Sequence, residues 1–199
     1  MEKLNLTETD IMNWLKDNKP GKYYAMTAID SLVKKGCVRE LGKIFAEPNE
    51  YIQLDWINKN TSVLMKKREE DLDKNFSGYD LCSVDGKLTI QSKLRYDTFH
   101  LEQTRRLSKK NLNESSKSGH VRYSIGEAHI YLFSKPKSKE DYVDILSWSF
   151  IAIPERELED PKCQGYLRSN IPASIWKKYV GKAKEVIEEE YKRKLDISI

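Results

Sequence analysis

Asp80, Gln91, Ser92 and Lys93 are the residues of this sequence whose types and spacing suit chemistry. They lie in GYDLCSVDGKLTIQSKLR, residues 78–95, which reads as two short strands around Asp85–Gly86. Asp-Gly between alternating segments predicts a two-residue type I′ turn, because that turn needs positive φ at both positions and Asp-Gly adopts it at low cost. Val84 then opposes Lys87, and pairing runs Ser83 to Leu88, Cys82 to Thr89, Leu81 to Ile90 and Asp80 to Gln91. Directly opposed residues hold their Cβ atoms about 5 Å apart, and Lys93 follows on the same face one pleat further on. Tyr79, Leu81, Leu88, Ile90 and Leu94 fall on the other face, toward a core. A carboxylate, an amide and an ammonium are therefore expected above an apolar underside. Such a set suits metal-assisted phosphodiester hydrolysis. Mg²⁺ takes oxygen ligands: Asp80 offers a charged one, Gln91 its side-chain carbonyl and Ser92 its backbone carbonyl. Lys93 would lower the pKa of an attacking water or stabilise charge on the phosphate.

Asp80, then Gln91-Ser92-Lys93 on the next strand, followed by a basic helical segment and a further strand, resembles the PD-(D/E)xK nucleases, among them many type II restriction endonucleases and repair nucleases. The resemblance covers roughly residues 25–135. It implies an α/β fold with a restriction-endonuclease-like core, a central mixed β-sheet flanked by helices, written α-β-β-β-α-β. It also implies Mg²⁺ as cofactor, metal ligation by Asp80 and Gln91, and a catalytic Lys93. Two positions depart from the usual pattern: Tyr79 stands where Pro usually precedes the acid, and Gln91 where Glu or Asp is usual, although Mrr-like members carry Q-x-K. The family often adds an acid from the helix before the sheet; Glu40 is first by order, with Glu69 and Glu70 as competitors.

The elements that must position these residues follow the pattern of apolar spacing. Thr7 with Asp10 resembles a capping box ahead of a helix ended by Pro20-Gly21, and a second helix is expected over about 24–35, capped at Gly36. The two read as an N-terminal segment, 1–46, winged-helix-like and contributing the first core helix, ahead of a nuclease core over 47–199 that ends in a C-terminal helix. Residues 47–61, with Pro48 and Asn58, read as loop, and TSVLMKK as a short strand. After the hairpin, TFHLEQTRRLSKKNL has helical composition. HVRYS, AHIYLF and YVDILSWSFIAI read as strands, the last buried on both faces. Pro172 opens a long amphipathic helix whose stripe runs from Ile175 to Tyr191.

On the helix expected after the hairpin, Arg105 with Lys109 and Arg106 with Lys110 stack at i, i+4. Like charges at that spacing repel unless a polyanion offsets them. With Arg95, His120 and Arg122 they form the expected DNA-binding set. Net charge is only +4, from 35 basic and 31 acidic residues, so distribution carries more information than the total. Cys37, Cys82 and Cys163 have no C-x-x-C spacing, which disfavours a disulfide framework or a structural zinc site. No basic-then-apolar leader opens the chain, and no run approaches the roughly 18–20 apolar residues that span a bilayer, so a cytoplasmic protein with no membrane partner is expected. Neither G-x-x-x-x-G-K-S/T nor G-x-G-x-x-G is present, which speaks against a nucleotide cofactor.

The function expected is Mg²⁺-dependent cleavage of double-stranded DNA by a type II-like restriction endonuclease, with a homodimer matching a palindromic site. Two rivals remain. One is a non-catalytic winged-helix DNA-binding regulator; the other is a structure-specific or RNA nuclease on the same scaffold.

Overall fold

The hairpin around Gly86 sets the register of the sheet's centre. The computed structural model describes residue 13 and residues 38–68, 78–95, 99–101, 103–104, 120–121, 123–138, 147–162 and 165–196. Five strands form a mixed sheet in the order β1 (Met65–Lys67), β2 (Leu81–Ser83), β3 (Thr89–Leu94), β6 (Ile130–Lys135), β7 (Ser149–Pro154). Neighbours are antiparallel except β3 and β6, which run parallel with Gln91 beside Tyr131 and Lys93 beside Phe133. β4 (Gln103–Thr104) and β5 (His120–Val121) make a separate antiparallel pair on the connection between β3 and β6.

The expected pairing of Leu81 with Ile90 and Cys82 with Thr89 is observed, but the turn is of another type. Among the described residues no non-glycine has positive φ, and only Gly86 of the pair does, at +76°. Gly86 N–H donates to Ser83 O at 2.8 Å, so the bend lies over Ser83–Gly86. Val84 turns its N–H to Leu64 O (3.0 Å) and does not pair with Lys87. Register survives because Ser83 and Leu88 close the loop through both backbone and Ser83 Oγ.

Of residues 47–61, 47–60 are helical, not loop. They form the second half of α1 (Val38–Asn60), which runs through residue 46 with Pro48 inside it. Proline in a helix interior costs about 3 kcal/mol. Here it is offset by a face of Asn49, Ile52, Gln53, Trp56 and Ile57, spaced by three and four and turned to the sheet. Asn58 is no turn signal either. Its carboxamide exchanges two hydrogen bonds with the Met65 backbone, at 2.8 and 3.1 Å, and so fixes β1 to the helix end.

The helix expected from residue 98 does not form over its described part. Phe99 and Leu101 are buried at a spacing of two, and their segment pairs with 169–171 through Leu101 N to Ser169 O and Ile171 N to Phe99 O, each 2.8 Å. Helical composition misled here because alternation governs burial in an extended segment. The C-terminal helix is two pieces. α2 (Ala173–Trp176) with a following 3₁₀ turn (Lys177–Tyr179) is separated from α3 (Ala183–Asp196) at Gly181, whose φ of +75° no helix accommodates.

The break lets the chain serve both faces of the sheet. Ala183, Val186 and Ile187 pack with Ile57, Leu81, Leu88, Ile90 and Leu132 on one face, while Ile175 and Trp176 pack against Phe99, Tyr131, Phe133 and Ile151 on the other. β6 is consequently buried along nearly its whole length, as a strand covered on both sides must be. Apart from residue 13, which is helical, the helices expected before residue 36 lie outside the described residues.

Candidate active site

Asp80 is fixed by the sheet it precedes. Its N–H donates to Ile90 O at 3.0 Å and its carbonyl accepts from Arg68 N at 3.1 Å, so its backbone is held from both neighbouring strands. The carboxylate points across β3: Oδ2 accepts from Ser92 N–H at 2.7 Å and from the Gln91 carboxamide, which also lies 3.5 Å from Ser92 O. The cross-strand meeting of Asp80 and Gln91 expected from the register is therefore present, and the Ser92 backbone carbonyl lies beside it. Which end of the Gln91 amide faces Asp80 is set by the hydrogen-bond network: next to a bare carboxylate, the NH₂ group is favoured.

Burial pushes the Asp80 carboxyl above its ordinary value, against the opposing pull of Lys93, the Ser92 N–H, Lys67 and Gln91. Burial likewise brings the Lys93 ammonium down to about 8, with Asp80 working the other way. Burial thus disfavours the charged form of both groups. Lys93 Nζ donates to the hydroxyl of Tyr123.

α1 holds this part of β3 from beneath. Asn49 Nδ2 donates to Ser92 Oγ at 2.7 Å, and Gln53 Nε2 reaches Ser134 Oγ (2.9 Å), Leu132 O (3.0 Å) and Lys93 O (3.2 Å). Both amides are fully buried. On the same helix Glu50 pairs with Lys67 at 2.9 Å; Lys67 acts electrostatically on Asp80, and Glu50 on Lys93. Sequence reasoning passed over Glu50, Asn49 and Gln53 because Pro48 led their stretch to be read as loop. A helix carried through the proline would have placed 49, 50 and 53 on adjacent faces. Tyr123 carried no sequence signal, being thirty residues from Lys93.

The apolar underside is real for Leu81, Leu88 and Ile90, which join the first core. Tyr79 departs from it and packs on the second core, the side of Tyr123. The cause is local: β2 begins only at Leu81, so strand alternation does not extend back to 79. The upper face is also less open than expected, since Phe99, Tyr123, Tyr131 and Phe133 cover it and Gln91 is 6% exposed.

Of the other candidate residues, Arg95 lays its guanidinium on backbone carbonyls, Leu94 O at 2.8 Å and His100 O at 2.9 and 3.0 Å, where it ties the end of β3 to the next segment. His120 is in β5 by its backbone. The side chain of Glu40, and Glu69, Glu70, Arg105, Arg106, Lys109, Lys110 and Arg122, lie outside the described residues. His129 Nδ1 accepts from Thr89 N–H at 3.1 Å, and burial lowers its pKa, the behaviour of a neutral structural imidazole.

Among the described residues no three His, Cys, Asp or Glu side chains gather to hold a metal. A cation here would rest on one carboxylate, Asp80, with the oxygens of Gln91 and Ser92. That set is lean but of the kind Mg²⁺ uses, since it keeps several waters and takes one or two carboxylates alongside substrate phosphates. No helix among the described residues is long and apolar enough to cross a membrane. Compared with family models, with curated proteins and with solved structures, the chain finds no match in any of the three.

Proposed function

We propose that the chain is a Mg²⁺-dependent endonuclease that hydrolyses phosphodiester bonds of double-stranded DNA on a restriction-endonuclease-like core. The observation that carries this is the convergence of Asp80, Gln91 and the Ser92 carbonyl at one point of the hairpin, with Lys93 on the following residue. Topology supports it: α1, the antiparallel β1-β2-β3 meander and then β6 parallel to β3 keep the element order α-β-β-β followed by β that is written for the PD-(D/E)xK core. The connection from β3 to β6 differs, since none of its described residues is helical.

When bound, the cation supplies Lewis-acid stabilisation of the phosphate and a water of lowered pKa. Asp80 contributes the charge that holds it. Gln91 would hold it through its side-chain carbonyl oxygen, once the carboxamide turns over from the orientation in which its NH₂ group meets Asp80. Lys93, brought to about 8, is available near neutral pH in both forms. As the ammonium it stabilises charge on the phosphate; as the amine it accepts the proton of the attacking water. The water oxygen bonds to phosphorus, the ester P–O bond breaks, and the leaving oxygen takes up a proton from solvent water. The amide ladder from Asn49 and Gln53 keeps Ser92 and Lys93 in place throughout. A cytoplasmic homodimer, cutting one strand with each subunit, completes the proposal.

Incubation of duplex DNA and Mg²⁺ with wild type, Asp80→Ala and Lys93→Ala is the test. Cutting by wild type alone supports the proposal, and equal behaviour of all three defeats it. Retarded migration of DNA in EDTA with no cutting in Mg²⁺ would favour the non-catalytic regulator, and selective loss of RNA the ribonuclease.

A further inference from the structure

Lys93 has a long, flexible stem, and an ammonium on such a stem acts reliably only if something holds its end. Tyr123 is built to do so. It is 1% exposed, its ring meets that of Tyr131 edge-on with centroids 5.3 Å apart, and its carbonyl accepts from Leu167 N–H at 2.9 Å. The following residues are pinned as well: Ser124 N–H donates to Glu127 Oε1 at 3.0 Å and Ile125 N–H to Gly165 O at 3.1 Å. The phenol hydroxyl is thus a fixed point, and Lys93 Nζ donates to it with the ammonium 4.7 Å from the ring centroid, at the hydroxyl rim.

We infer that Tyr123 is a positioning residue for Lys93: its hydroxyl braces the ammonium beside Asp80, on the same face of the sheet as both. The inference rests on the nuclease proposal and adds to it a residue from the connection between β3 and β6, so that the segment closing the sheet also completes the site. Tyr131 provides the contrast. It is equally buried, it packs against the same ring, and its hydroxyl has no hydrogen-bond partner among the described residues.

The test compares Tyr123→Phe and Tyr131→Phe, which both keep the ring packing, in DNA cleavage with Mg²⁺. For Tyr123→Phe the expected result is a kcat lower by about 10- to 100-fold, the cost of a catalytic group misplaced by an ångström, with KM for DNA and the half-saturating Mg²⁺ within about twofold of wild type. Tyr131→Phe should cut at the wild-type rate. In the Lys93→Ala background Tyr123→Phe should cost nothing more, since the group it braces is gone. NMR of ¹⁵N-lysine-labelled protein reads the brace without turnover: an ordered Lys93 Nζ signal in wild type, lost in Tyr123→Phe. Wild-type kcat in Tyr123→Phe while Lys93→Ala is inactive would overturn the brace and leave the nuclease proposal standing. Full activity in Lys93→Ala would overturn both.

Discussion

Among the described residues, Asp80 and Glu190 are carboxylates withdrawn from water that are compensated in different ways. Glu190, 5% exposed, receives the guanidinium groups of Arg156 and, at 3.4 Å, Arg193 on the same oxygen, beside His129, Glu155, Glu159 and Lys194. Its charge is met by two full charges, which fastens α3 to the turn after β7. Asp80 is met by dipoles: one backbone N–H and one amide. Lys93 acts on Asp80 across space while its hydrogen bond goes to Tyr123. The difference separates an ion pair that holds elements together from a carboxylate whose hydrogen bonds come from dipoles while Lys93 and Lys67 act on it only across space, the place where the proposed Mg²⁺ would bind.

The largest effect that sharpens this contrast is on turnover. Asp80→Ala and Lys93→Ala should each slow DNA cutting by at least about 10³-fold. Glu190→Gln should leave the rate within about twofold and lower unfolding free energy in urea by about 1–2 kcal/mol, modest because both arginine partners are about half exposed. A turnover defect in Glu190→Gln as large as that in Asp80→Ala would erase the contrast.

Next in size is the support beneath the site. Gln53→Leu removes an NH₂ group shared among three buried or part-buried acceptors and should cost about 2–3 kcal/mol in urea unfolding. It should also reduce cutting, since Lys93 O loses its tether.

Gln91→Glu tests the proposed cation site from the other side. A second carboxylate beside Asp80 should lower the half-saturating Mg²⁺ about tenfold, or about 1.4 kcal/mol, while destabilising the metal-free protein through like-charge repulsion. Unchanged Mg²⁺ dependence would mean that position 91 does not face the cation.

The smallest effect is a pH response. Lys93 has a folded-state value of about 8 against an ordinary 10.5, so between the two the unfolded chain binds a proton that the folded chain has released. The unfolded state then binds more protons, and stability rises with pH across that window. Relative to Lys93→Met, wild type should gain on the order of 1 kcal/mol from pH 8 to 10 in urea titrations. Asp80 has the opposite sign in acid, because its raised value makes the folded chain the better proton binder, so stability from this group falls as pH rises through it.

What sequence pattern made legible was mostly local. Asp85-Gly86 placed the turn, and with it the opposition of Asp80 and Gln91, even though the turn uses positive φ only at Gly86. The apolar runs Ile130–Phe133 and Phe150–Ile153 declared themselves as strands, the second with its burial. Where a strong local signal met a tertiary demand, the demand won. Pro48 sits inside α1 because the buried face from Asn49 to Ile57 outweighs it, and Phe99–Leu101 is extended because both side chains have pockets on the sheet. Gly181 was a break that amphipathic spacing on either side concealed. The supports of the site, Asn49, Gln53 and Tyr123, reach it across 43, 40 and 30 residues, distances over which periodicity carries no information.

The most direct measurement of the claim that Asp80 awaits a cation is thermal unfolding as a function of Mg²⁺ in wild type, Asp80→Asn and Glu190→Gln. A ligand that binds only the folded state raises its stability with concentration. Wild type and Glu190→Gln should therefore climb with Mg²⁺ while Asp80→Asn stays flat. An equal climb in Asp80→Asn and wild type would contradict the account.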